Sequence, residues 1–139
     1  MSRVISVRLK DDDAKRIERL ARRHSRSAGA TASMLLREKL REEEFPFIEF
    51  RDSGAGRQAY VKGHRLTAWE VVYFTRQWRL NARQYAEYLK WPEYLVQAAL
   101  DYAKNFPEEI EPQVAEAESI TFEDIKRIVP WVQEVKVKV

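Results

Sequence analysis

The chain has 139 residues, 45% hydrophobic and 34% charged, which is the balance of one or two small globular domains and not of a disordered tract. It holds no apolar run long enough to span a bilayer, its start (MSRVISVRLKDDD) turns charged too soon for a secretory signal, and it has no cysteine, so disulfides and thiolate metal sites are excluded and a cytoplasmic location is expected. Its net charge of +3 is unevenly spread. Residues 1–41 carry 12 Lys and Arg against 5 Asp and Glu, a net of +7; residues 42–112 carry 9 against 12 and residues 113–139 carry 4 against 5. A basic excess confined to one end is the footprint expected of a phosphate-binding segment.

Residues 3–9 alternate, with Ile5, Val7 and Leu9 on one side and Val4, Ser6 and Arg8 on the other, which predicts a strand. Asp11, Asp12 and Asp13 then stand where they would cap a helix. That helix carries Ala14, Ile17, Leu20 and Ala21 on one face and Arg22, Arg23 and Arg26 towards its end. SRSAGA (25–30) predicts a turn, and Thr31 the cap of a second helix with Ala32, Leu35, Leu36 and Leu40 on one face, stopped by Glu42 to Glu44 and Pro46. All Phe, Tyr and Trp lie at Phe45 or later, so the first 45 residues are too small and too poor in bulky side chains to bury a core alone. They must dock on the rest of the chain or on a second copy.

FPFIEF (45–50) and AYVKG (59–63) predict two strands of a hairpin, with RDSGAGR (51–57) as its turn. Thr67 would cap the helix AWEVVYFTRQW, and Asn81 a short helix over 81–89. Pro92 opens a helix that Pro107 stops. Residues 108–119 are acidic and polar and read as a linker, Thr121 caps a short helix over 121–129, and VQEVKVKV (132–139) alternates as a strand or extended arm would. The fold class expected is mostly α with short β: a βαα unit over 1–45, a hairpin plus three-helix, helix-turn-helix-like domain over 46–112, and a tail over 113–139.

The residues VISVRLKDDDAKRIERLARRHSRSAGATASMLLREKL resemble the ribbon-helix-helix family of bacterial repressors and antitoxins. The resemblance implies a dimer whose paired strands form a ribbon that enters the major groove of operator DNA. Ile5, Val7, Leu9, Ile17, Leu20 and Leu36 would then form the dimer core. Val4, Ser6 and Arg8 would face base edges, with Arg8 forked onto guanine O6 and N7. The backbone N–H groups of Thr31, Ala32 and Ser33 would hold a phosphate. Val4 departs from the polar residue usual at its place and offers at best a contact to a thymine methyl. The alternative is an ordinary βαα piece of one domain, with Arg8 a solvated charge.

Residues 47–112 resemble the family called domain of unknown function 433, through Gly56, Arg57, Ala59, Tyr60, Gly63, Arg65, Leu66, Trp69, Val72, Trp91, Pro92, Val96, Ala99, Leu100, Tyr102, Phe106 and Pro107. His64 and Thr67 depart from the residues common there. The two resemblances together imply an antitoxin of a type II toxin–antitoxin system, which represses its own operon and holds a PIN-like nuclease toxin. Helix 93–105 carries only Lys104 as a base against Glu93 and Asp101, so the second half is expected to bind a partner and not DNA. Of Trp69, Tyr73, Trp78, Tyr85, Tyr88, Trp91 and Tyr94, most should be core and two or three should line the partner site.

No catalytic constellation is expected. His24 and His64 lie far apart, SGAGR lacks the Lys-Ser/Thr of a phosphate loop, and the three aspartates suit capping better than a cation. Neither a cofactor nor a small-molecule ligand is expected. The competing functions are a stand-alone transcriptional regulator without a toxin and a dimeric interaction scaffold.

Overall fold

The computed structural model describes residues 2–135. In chain order it carries α1 (Asp11–Arg23), α2 (Ala28–Glu44), β1 (Ile48–Ser53), β2 (Gly56–Val61), α3 (Ala68–Gln77), α4 (Ala82–Leu89), α5 (Glu93–Asn105), α6 (Pro107–Ser119) and α7 (Phe122–Ile128). The fold is mostly helical with one two-stranded antiparallel sheet. The chain divides into two compact units, one running to Glu44 and one starting at Phe45.

The first unit begins with a correction. Residues 2–10 form neither helix nor strand, and the first regular element is α1. A strand needs a neighbour to take its N–H and C=O groups, and the sheet among the described residues holds β1 and β2 alone. The aspartates do not cap α1. Lys10 is its N-cap, and Asp11, Asp12 and Asp13 fill the first turn, where they oppose the positive helix end. At the other end Ser25 adopts a left-handed φ of 54°. Its N–H bonds the Arg22 carbonyl at 3.2 Å, and the Arg26 N–H reaches back to Ala21 at 2.9 Å. This is the Schellman closure, made here without its usual glycine.

The second helix starts four residues earlier than expected. Ser27 caps it, its Oγ accepting the Ala30 N–H at 3.1 Å, so the turn is confined to residues 24–27. Thr31 lies one turn inside α2, fully buried, with its hydroxyl donating to the Ser27 carbonyl at 2.9 Å. Serine is the better N-cap of the two, and Ser27 comes first. Helices α1 and α2 pack together, and Ala21, Thr31, Met34 and Glu38 are the buried residues of the unit.

In the second unit, β1 and β2 pair in register from Ile48 opposite Val61 to Ser53 opposite Gly56. The connection is only Gly54–Ala55, shorter than the turn expected over 51–57. Polar cross-strand partners disguised the strand ends, for Arg57 and Asp52 form an ion pair at 3.3 Å. Ser53 Oγ donates to the Gly56 carbonyl at 2.8 Å, and Gly56 takes a φ of 94° that a side chain would resist. Capping boxes start α3 (Thr67 with Glu70), α4 (Asn81 with Gln84) and α7 (Thr121 with Asp124).

The expected linker over 108–119 is instead the helix α6, with Pro107 in its first turn. It is part of the core: Ile110 and Val114, one turn apart, are each 1% exposed, and α6 packs on α3 and α5. Its acidic residues and the exposed Pro112 conceal that stripe in the sequence. Residue 112, expected as a boundary, falls within this helix. The core also takes Ile48, Val61, Val71, Val96, Tyr85 and Tyr102, and the buried Tyr102 hydroxyl donates to Glu109 at 2.7 Å. After α7, residues 129–135 form no strand. The rest of the alternating stretch, 136–139, lies outside the described residues.

Candidate nucleic-acid interface

Four of the six residues expected in a dimer core stand in solvent in the single chain: Ile5 is 84% exposed, Val7 67%, Leu9 43% and Leu36 60%. Ile17 and Leu20 on α1 are half-buried. Leu40, one turn beyond Leu36 on α2, is exposed as well. Apolar groups left in water in this way are uncovered, and covering them is favourable by about 25 cal/mol per Å².

Val4, Ser6 and Arg8 are also exposed, so both sides of the alternating segment are open. The cations of α1 (Lys15, Arg16, Arg19, Arg22 and Arg23) face solvent too. Arg16 meets Asp13 at 3.3 Å with both groups largely hydrated, a weak pairing that leaves the guanidinium available. On α2, hydrogen bonding to Glu43 holds the Lys39 ammonium above its ordinary pKa.

The structure moves the backbone donors expected at a phosphate. The Thr31 N–H already bonds the Ser27 carbonyl at 3.0 Å. The donors at the helix start belong to Ala28 and Gly29, because Ala30 is taken by Ser27. Ala32 is half-buried and Ser33 exposed, both inside the helix.

The seven aromatic residues singled out in the sequence separate into three groups. Tyr85 is buried, and Trp69, Tyr73 and Trp91 are half-buried, whereas Trp78 (47%), Tyr88 (64%) and Tyr94 (55%) are exposed. Burial, with Glu70 and Tyr88 adding to it, pushes the Tyr85 phenol up to about 12. His64 stacks on Trp91 with ring centroids 4.0 Å apart, and His24 closes α1 as its C-cap. Among the described residues no group of His, Cys, Asp and Glu is arranged to hold a metal, and no helix is long and apolar enough to cross a membrane.

One surface went unrecognised in the sequence. Ile120, Ile125, Ile128, Trp131 and Val135 are all exposed, and α7 buries no residue. The available signal was the spacing of Ile125 and Ile128 on a helix too short to form a core of its own.

Comparison of the chain with protein-family models, with curated proteins and with solved structures finds no match.

Proposed function

We propose that this protein is a dimeric antitoxin and autorepressor of a type II toxin–antitoxin operon. Two copies pair residues 3–9 antiparallel, burying Ile5, Val7 and Leu9 against α1 and α2. The ribbon then enters the major groove with Val4, Ser6 and Arg8 towards the bases. The start of α2, at Ala28 and Gly29, meets a phosphate. The second unit holds a PIN-like nuclease toxin, using the exposed apolar residues of α7 and the segment after it.

The observation that carries this is the exposure of Ile5, Val7 and Leu9 on a basic unit with no aromatic residue to cover them. A second copy of the same segment covers that side, satisfies the strand's hydrogen bonds and leaves Arg8 pointing outwards.

The test is fluorescence anisotropy with the protein's own upstream DNA and a scrambled duplex at two salt concentrations. Tight, salt-sensitive binding that prefers the native duplex is the expected result, because neutralised phosphates release counterions. Binding without sequence preference would reduce the first unit to a dimerisation device and favour the scaffold. For the partner, the informative cut is after Ser119, which leaves α6 and its buried Val114 whole. Loss of binding to a PIN-like nuclease, where one is encoded beside it, is expected. Unchanged binding eliminates α7 and the following segment as the neutralising surface.

A further inference from the structure

On the solvent side of α5 lies a cleft of about 470 Å³, lined by Phe47, Glu93, Tyr94, Gln97, Ala98 and Asp101. Phe47 and Tyr94 form its aromatic wall, with ring centroids 5.0 Å apart and planes tilted by 49°. Both rings are open to water, at 42% and 55% exposure. Their places are nonetheless set by regular structure. The Phe47 carbonyl accepts the Lys62 N–H at 2.7 Å, just before β1, and Tyr94 stands in the first turn of α5. The nearby Phe45 is packed edge-on against Tyr102 and Phe106, so an inward berth exists for one phenylalanine of this segment and Phe47 does not use one.

The polar lining has a single sign. Glu93 and Asp101 bring carboxylates, and no Lys or Arg lines the cleft. The Gln97 amide nitrogen donates one of its two N–H groups to Asp101 Oδ1 at 2.8 Å, and its carbonyl oxygen is an acceptor suited to a cationic donor. Aromatic faces, carboxylates and a carboxamide oxygen all attract a cation. A purely apolar occupant would cover the two carboxylates without pairing them, which is unfavourable, and an anionic or nucleic-acid occupant would be repelled.

We infer that this cleft receives an arginine or lysine side chain presented by a basic segment of a partner protein. This rests on the second unit being a partner-binding module, and names the chemistry its partner must show at this point.

The probe is the peptide acetyl-Gly-Arg-Gly-amide, titrated into the isotopically labelled full chain and followed by NMR, beside the same peptide with neutral citrulline for arginine. Saturable shifts are expected at Tyr94, Gln97 and Ala98, with citrulline binding about tenfold weaker. Tyr94→Leu should weaken arginine binding about two- to fivefold, the scale of one exposed cation–π contact, and Tyr94→Phe should retain it. Asp101→Asn should weaken it as well, with an unchanged spectrum elsewhere showing an intact fold. Equal binding of the two peptides, shifts confined to other acidic surfaces, or indifference to Tyr94→Leu would overturn the inference. Nuclease binding by the full chain tests the module separately, so a silent cleft on a chain that still binds the nuclease would dismiss this site and leave the module standing.

Discussion

Replacing Ile5 by alanine separates a paired ribbon from a solvated segment. In the single chain Ile5 is 84% exposed, and a substitution at such a site changes stability by no more than about 0.5 kcal/mol. In the proposed dimer the same side chain would be covered. Removing the three carbons beyond Cβ, at about 0.8 kcal/mol each, then costs about 2.4 kcal/mol per chain. A two-fold axis doubles this to about 5 kcal/mol, and imperfect cover halves it at worst. The dimer dissociation constant should therefore rise roughly sixtyfold to a few thousandfold. Sedimentation equilibrium over a dilution series measures it directly. Val4→Ala is the internal control: Val4 is 94% exposed but lies on the opposite side of a period-two segment, so dimerisation should not change. If Ile5→Ala leaves the association constant unaltered, or if Val4→Ala weakens it equally, the antiparallel ribbon is wrong.

Two further outcomes follow from the fold. Ser25 closes α1 at a φ of 54°, a region glycine occupies without penalty, so Ser25→Gly should stabilise the protein by about 0.5–1 kcal/mol in urea unfolding followed by circular dichroism. Tyr85 is held neutral up to about 12, whereas an unfolded tyrosine ionises near about 10. Its contribution is therefore complete below the lower value and is lost as pH rises through the window between them, at about 1.4 kcal/mol per pH unit. Alkaline unfolding of wild type and Tyr85→Phe should show that slope in the first and lose it in the second.

The helices that announce themselves in the sequence are those with a local chemical start. Thr67, Asn81 and Thr121 each stand three residues before a Glu, Gln or Asp that completes the box, and such a signal needs no knowledge of the rest of the chain. Where two candidates compete, local reading loses a turn, as it does between Ser27 and Thr31. Helix α6 was hidden because its two buried residues, Ile110 and Val114, sit among glutamates and a proline whose preference for solvent dominates the composition. Only the packing of α3 and α5 reveals that stripe as core. The alternation of residues 3–9 is legible, yet no strand forms there in the single chain, and a strand's hydrogen bonds need a neighbour that the proposed dimer would supply. Of the seven aromatic residues the sequence marks, tertiary burial decides which lie in the core, leaving Trp78, Tyr88 and Tyr94 outside.

The measurement that bears most directly on the central claim is the ratio of affinities for the upstream duplex and a scrambled duplex, in wild type and in Arg8→Ala. If Arg8 reads a guanine edge, the ratio should fall by about 1–3 kcal/mol, roughly fivefold to 150-fold, while scrambled-DNA affinity changes far less. If the ratio stays at its wild-type value, Arg8 is a solvated charge and the ribbon does not read DNA.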